Sequence, residues 1–148
     1  MKMKFAFVLS IFLVAISSYS LMTKENITTT FFLDYQKDPL VAYVTLFTNN
    51  KWMVDQKSTI ETNKIKLKDL LEKLGGYHGY EFITEKQAGP SYILKSFLAK
   101  YDRQPVRYTL FLYKPKGTWL LQNIVYDVDI DSELSEAAKI DRLLTNWE

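Results

Sequence analysis

The fold is decided by residues 91–128, which read SYILKSFLAKYDRQPVRYTLFLYKPKGTWLLQNIVYDV. Aromatic and aliphatic residues alternate there with polar ones, and this period of two is typical of strands. Two segments of turn composition, DRQP at 102–105 and KPKG at 114–117, interrupt the pattern. The stretch therefore predicts three consecutive antiparallel strands.

The second turn sets the pairing of the last two strands. Pro115 and Gly117 suit a type I turn followed by a left-handed glycine, which pairs Lys114 with Thr118. One face, which we assign to the core, then contains alternate residues of both strands: Val106, Tyr108, Leu110, Leu112, Leu120, Gln122, Ile124 and Tyr126. The opposite face contains the others: Arg107, Thr109, Phe111, Tyr113, Trp119, Leu121, Asn123, Val125 and Asp127.

Each face offers a candidate binding site. On the core face, Tyr101, Tyr108, Tyr126 and Gln122 are either core residues whose hydroxyls reach the rim or the lining of a pocket for a small apolar ligand. The opposite face is too apolar for a plain solvent face, so a partner subunit, a ligand or another segment should cover it. Its predicted interface residues, for a possible homodimer through the sheet, are Phe111, Tyr113, Trp119 and Leu121.

Residues 1–20 have the composition of a secretory signal peptide. Lys2 and Lys4 precede an apolar run at 5–16, and Ser18 and Ser20 form a small-x-small pattern, so we expect cleavage after Ser20. The apolar run is shorter than the ~20 residues of a membrane span. We therefore expect a protein exported to the periplasm or the exterior, with no stable membrane span after cleavage and a single domain at 21–148.

Composition excludes several classes of function. The chain has 19 basic and 17 acidic residues, and loss of Lys2 and Lys4 would balance them. Because no basic cluster is present, nucleic-acid binding is not expected. The absence of cysteine excludes thiol catalysis, zinc–thiolate sites and a lipid-modified cysteine.

Helical patterns flank the strands. Asp38 and Pro39 predict the start of a helix with apolar residues at i, i+3, i+4 and i+7, after a shorter helix near residue 31. A long helix is predicted at 53–74, a first strand at 80–87 and a last helix from Ser132 towards Leu144. The fold class is α+β, with N-terminal helices packed on a bent antiparallel four-stranded sheet and a C-terminal helix.

No catalytic, metal or cofactor site is predicted. His78, the single histidine, is placed in a loop without a nucleophile at a diagnostic spacing. Asp102 and Arg103 are interpreted as an exposed or mutually bonded pair at a hairpin tip. The alternating acids at 127, 129 and 131 lack the glycine and glutamate of a calcium loop, so they are read as a strand end leading into a helix cap.

Two segments carry a family resemblance: KYDRQPVRYTLFLYKPKGTWLLQNIVYDVDID at 100–131 and TNNKWM at 48–53. The order of helices followed by a bent antiparallel sheet resembles the nuclear transport factor 2-like (cystatin-like) class, and these two segments resemble, more narrowly, a group of small exported bacterial proteins with no assigned function. The resemblance implies a cone-shaped fold with a cavity between sheet and helices, often dimeric through the sheet. It transfers no functional residues.

Three functions follow as hypotheses. The first is an exported, non-enzymatic domain that binds a small ligand or a protein partner. The second is an isomerase-like or hydrolase-like enzyme with a tyrosine-lined pocket, and the third is a homodimeric interaction module. Binding is favoured over catalysis.

Overall fold

A computed structural model describes residues 22–145, so the predicted signal peptide lies outside the described residues. Three helices precede a four-stranded antiparallel sheet and a fourth helix follows it, which confirms the predicted α+β order. The elements are α1 (Lys24–Tyr35), α2 (Pro39–Leu46), α3 (Lys57–Leu71), β1 (Tyr77–Gln87), β2 (Tyr92–Tyr101), β3 (Val106–Tyr113), β4 (Leu120–Asp127) and α4 (Ile130–Thr145).

Side-chain caps begin the first two helices. Thr23 Oγ1 accepts a 3.1 Å hydrogen bond from the Asn26 N–H at the start of α1. The Asp38 carboxylate accepts from the N–H groups of Leu40 and Val41 at 2.9 and 3.0 Å, as the Asp-Pro pattern predicts for α2. Helix α3 begins later than predicted, because residues 54–56 form a 3-10 turn before it.

The sheet has the order β1-β2-β3-β4, and helices α1–α3 pack on one of its faces. The core face of β2 contains Ile93, Phe97 and Ala99, which are all buried. Aromatic rings of α1 meet this face edge-on: Phe31 lies 5.6 Å from Tyr108 and Phe32 lies 5.1 Å from Phe97, between ring centroids.

The predicted pairing of β3 with β4 is wrong. Leu110 pairs with Ile124 rather than Gln122, and a β-bulge lies between the pairs Phe111–Asn123 and Leu112–Leu121. The bulge reverses the faces beyond it, so Leu121 is fully buried on the core face and Leu120 pairs with Tyr113 on the opposite face. Gly117 has the expected left-handed conformation (φ 84°), but it belongs to a six-residue connection, 114–119.

Two asparagines fix the position of this bulge. The Leu121 N–H donates to Asn49 Oδ1 at 3.0 Å, and Asn50 Nδ2 donates to the Leu121 carbonyl at 2.7 Å. Since β4 is an edge strand, these amides satisfy backbone groups that no further strand could pair. The TNNKWM segment therefore contacts the β3–β4 region directly.

None of the helices within residues 22–145 is long and apolar enough to cross a lipid bilayer.

Candidate functional site

The predicted tyrosine site is a set of hydrogen-bonded core residues. Tyr35 of α1, which the sequence did not link to this site, lies between Tyr101 and Tyr108. Its hydroxyl is 2.5 Å from that of Tyr101 and 2.7 Å from that of Tyr108. Tyr35 and Tyr108 are fully buried, whereas Tyr101 is half-buried. Each of the three phenols therefore has a partner within the protein.

Burial sets the acidity of these phenols. It raises the pKa of Tyr35 and of Tyr108 well above the ordinary value, because a buried phenolate loses its hydration. Burial also raises the pKa of Tyr101, although its hydrogen bond with Tyr35 opposes this. The three groups remain neutral at physiological pH, so they are poor candidates for a general base.

The other two predicted ligand-binding residues lie apart from this chain of hydroxyls. Tyr126 is half-buried and donates to the Asn63 carbonyl of α3 at 2.9 Å. Gln122 is the extra residue of the bulge and is exposed. The grooves between α1 and α2, between α1 and β1, and between α2 and α3 are lined by none of the four predicted residues.

The predicted interface residues divide into two groups. Phe111 and Tyr113 lie on the sheet face opposite the helices, here called the outer face, as expected. Leu121 was assigned there wrongly, because the bulge turns it into the core. Trp119 packs against the core from the connection before β4, where its backbone N–H donates to the Met22 carbonyl at 3.2 Å.

The outer face nevertheless has an apolar group, here called the outer patch: Leu94, Leu98, Phe111 and Val125. Leu94 pairs directly with Phe111, and Val125 pairs with Thr109, whose hydroxyl lies 3.0 Å from that of Ser96. Val125 is 44% exposed, while the other three are half-buried. A short polar contact thus lies among four apolar side chains.

Helix α4 presents a second uncovered apolar surface. Ile130, Leu134 and Ala137 recur at i, i+4 and i+7, and Ile140 follows one turn later. Leu134 is 64% exposed and Ile140 is 58% exposed. Every residue from 131 to 142 is exposed, so α4 does not cover the outer face of its own sheet.

Arg107 holds the first turn of α4 beside the outer face. Its guanidinium binds the carboxylate of Asp127, 3.0 Å from Oδ1, and both carboxylate oxygens of Glu133 at 2.5 and 2.7 Å. The guanidinium lowers the pKa of Glu133 through these hydrogen bonds. These contacts therefore tie the first turn of α4 to β3 and to the end of β4.

Sequence reasoning missed a histidine–aspartate pair. His78 lies in β1 rather than in a loop, and its Nε2 is 2.5 Å from Asp102 Oδ1. Asp102 also accepts a hydrogen bond from the Gly76 N–H, and the bonds from His78 and Gly76 lower the pKa of its carboxyl. The two side chains are 24 residues apart, so no local spacing could have indicated the pair.

Comparison of the chain with protein-family models, with curated proteins and with solved structures found no match. Within residues 22–145, no group of three histidine, aspartate or glutamate side chains is placed to hold a metal ion.

Proposed function

We propose that this protein is an exported binding domain that associates with a second copy of itself through its outer face and α4. The observation that carries the proposal is the pair of uncovered apolar surfaces, the outer patch and the stripe of Leu134 and Ile140 on α4. Contiguous exposed apolar groups mark interaction sites more often than inert surface.

A second copy is the occupant that suits both surfaces at once. In a two-fold dimer each α4 would lie on the outer patch of the partner, so a single contact, made twice, would cover both of these apolar surfaces. The dimensions agree: a helix of 16 residues is about 24 Å long. Four strands at a spacing of about 4.8 Å extend over about 14 Å, so α4 can cross the whole sheet.

The packing of the core favours the proposed dimer over a ligand pocket lined by tyrosines. The hydroxyls of Tyr35, Tyr101 and Tyr108 bind one another, and aromatic rings of α1 fill the space above β2 and β3. The resemblance to nuclear transport factor 2-like proteins, which are often dimeric through the sheet, also favours a dimer. Export follows from the signal-like composition of residues 1–20.

Sedimentation velocity of residues 21–148 tests the proposal. We expect the wild-type chain to sediment as a dimer and Val125→Glu to sediment as a monomer, because a charge on the outer patch would be desolvated in the interface. Ile65→Glu is the matched control, since Ile65 of α3 is 59% exposed and lies off the outer face. A monomeric wild-type chain at about 100 μM, well above the μM dissociation constants of modest interfaces, would overturn the proposal.

A further inference from the structure

We infer that the groove between α1 and the start of β1 binds a small aromatic molecule that carries an acidic group, with His78 as the residue that contacts the acidic group. The groove lies at the edge of the sheet, away from the outer face, and is independent of the proposed dimer. Its lining residues are Thr29, Phe32, Leu33, Gln36, Tyr77, His78, Gly79 and Tyr80.

The size of the groove suits a small molecule. Its volume of about 760 Å³ falls within the range of about 300–1,000 Å³ for small-molecule sites. One wall is a single stripe of α1 and its C-cap residue Gln36, because Thr29, Phe32, Leu33 and Gln36 recur at i, i+3, i+4 and i+7.

A bulge in β1 forms the opposite wall. Tyr77 pairs with Tyr101 and Tyr80 pairs with Ala99, so His78 and Gly79 together oppose Lys100. Gly79 has φ 96°, a conformation that side chains rarely adopt, and a Cβ there would meet no atom within 4 Å. Bulges of this kind redirect neighbouring side chains, and here the bulge places His78 at the groove.

The apolar part of the groove favours an aromatic ring. Tyr80 stacks on Phe32 with ring centroids 3.8 Å apart and planes 9° apart, and 40% of Tyr80 remains exposed. Leu33, 58% exposed, provides an aliphatic neighbour on the α1 wall. A planar apolar ligand would cover both side chains.

The polar part favours an acidic group on that ring. The Asp102 carboxylate is hydrogen-bonded to Nε2 of His78, which leaves Nδ1 as the ring nitrogen available to a ligand. An imidazole with a proton on each nitrogen donates one to the carboxylate and the other to an anionic oxygen of a ligand. The Thr29 hydroxyl and the Gln36 amide add donors on the facing wall.

Two fluorescent probes of matched size test the inference on residues 21–148 at pH 6. We expect the anionic 1-anilinonaphthalene-8-sulfonate to bind the wild-type chain about tenfold more tightly than His78→Gln, as expected for one charge-assisted contact. The neutral N-phenyl-1-naphthylamine should bind both chains within twofold. Leu33→Glu should weaken both probes at least fivefold, whereas Ile65→Glu should weaken neither.

Far-UV circular dichroism checks that each variant is folded. Val125→Glu should bind both probes like the wild-type chain, which separates the groove from the outer patch. Equal affinity of wild-type and His78→Gln chains for the sulfonate would overturn the inference, and so would unchanged binding by Leu33→Glu. Ring signals of Tyr80 that do not shift in NMR spectra at saturating sulfonate would also overturn it.

Discussion

Asn50 holds the backbone of Leu121 across 71 residues of sequence, through a 2.7 Å hydrogen bond from its Nδ2 atom to the Leu121 carbonyl. Asn50 is only 3% exposed. Its Oδ1 atom also accepts from the Trp52 N–H at 3.1 Å. The side chain therefore joins the turn before α3 to the bulge of β4.

Replacement of Asn50 by alanine should destabilise the fold. The Leu121 carbonyl would lose its partner in a buried site, which costs about 1–3 kcal/mol of unfolding free energy. Urea denaturation of Asn50→Ala measures this loss. Asn123→Ala is the matched control, because Asn123 is exposed on the same strand, and it should change stability by less than about 0.5 kcal/mol. Equal effects of the two substitutions would contradict this stabilising role of the Asn50 side chain.

The same long-range hydrogen bond to Leu121 explains which part of the fold the sequence could not predict. Period-two alternation located β3 at its observed bounds, and the Asp-Pro cap located α2, because both signals are local. The bulge at Gln122 depends on Asn49 and Asn50, which lie far away in sequence. The pairing of β3 with β4 and the burial of Leu121 could therefore not be derived from turn composition.

The candidate sites show the same limit. Alternation placed Phe111 and Val125 on the outer face correctly, since both belong to the regular part of their strands. His78 and Asp102 meet only because β1 pairs with β2, so the pair required the tertiary structure. Tyr35 was missed for the same reason, since α1 must first pack on the sheet.

The buried tyrosines predict a loss of stability in alkali. Burial raises the pKa of Tyr108 in the folded chain, while the unfolded chain releases this proton near pH 10. The contribution of these phenols to the free energy of unfolding is therefore fully present below about pH 10. Above that pH the free energy of unfolding falls by up to about 1.4 kcal/mol per pH unit for each such phenol. Denaturation from pH 8 to 11.5 measures the slope.

Two tyrosine variants provide the comparison for that slope. Tyr108→Phe removes one phenol of raised pKa, so its stability should fall less steeply above pH 10. Tyr113→Phe removes an exposed phenol and should keep the wild-type slope. A slope that is the same in all three chains would show that Tyr108 ionises as readily in the folded chain as in the unfolded one.

Lys95 is a nearly buried cation that depends on acidic partners. It is 7% exposed on the core side of β2, and its Nζ atom lies 3.5 Å from Glu85 Oε2. Glu85→Gln should destabilise the fold by about 1–3 kcal/mol, because it leaves Lys95 without its nearest carboxylate. Lys95→Met should be neutral or stabilising, since an apolar side chain suits the site and Glu85 keeps its ion pair with Lys24.

Thermal denaturation distinguishes these two effects. Lys100→Met is the control, because Lys100 binds Glu81 at an exposed position and should change stability by less than about 0.5 kcal/mol. A stabilising Glu85→Gln, or a Lys95→Met chain less stable than Glu85→Gln, would contradict this role of the pair.

Glu133 fixes the start of α4 through Arg107. Glu133→Gln should therefore increase hydrogen exchange of the first two turns of α4, while the urea midpoint of the sheet stays unchanged. Mass spectrometry of deuterated peptides measures the exchange. Glu136→Gln is the control, since Glu136 binds Lys139 within the same helix. Faster exchange in both variants alike would attribute the effect to helix propensity instead.

The proposed contact between α4 of one copy and the outer patch of another is tested most directly by disulfide cross-linking, because the chain has no cysteine of its own. Single-cysteine chains Leu98→Cys and Leu134→Cys are mixed, oxidised and separated on a non-reducing gel, with Ile65→Cys replacing Leu134→Cys as the control. We expect a mixed dimer of Leu98→Cys with Leu134→Cys in clear excess over the control. Equal yields in the two mixtures would contradict it.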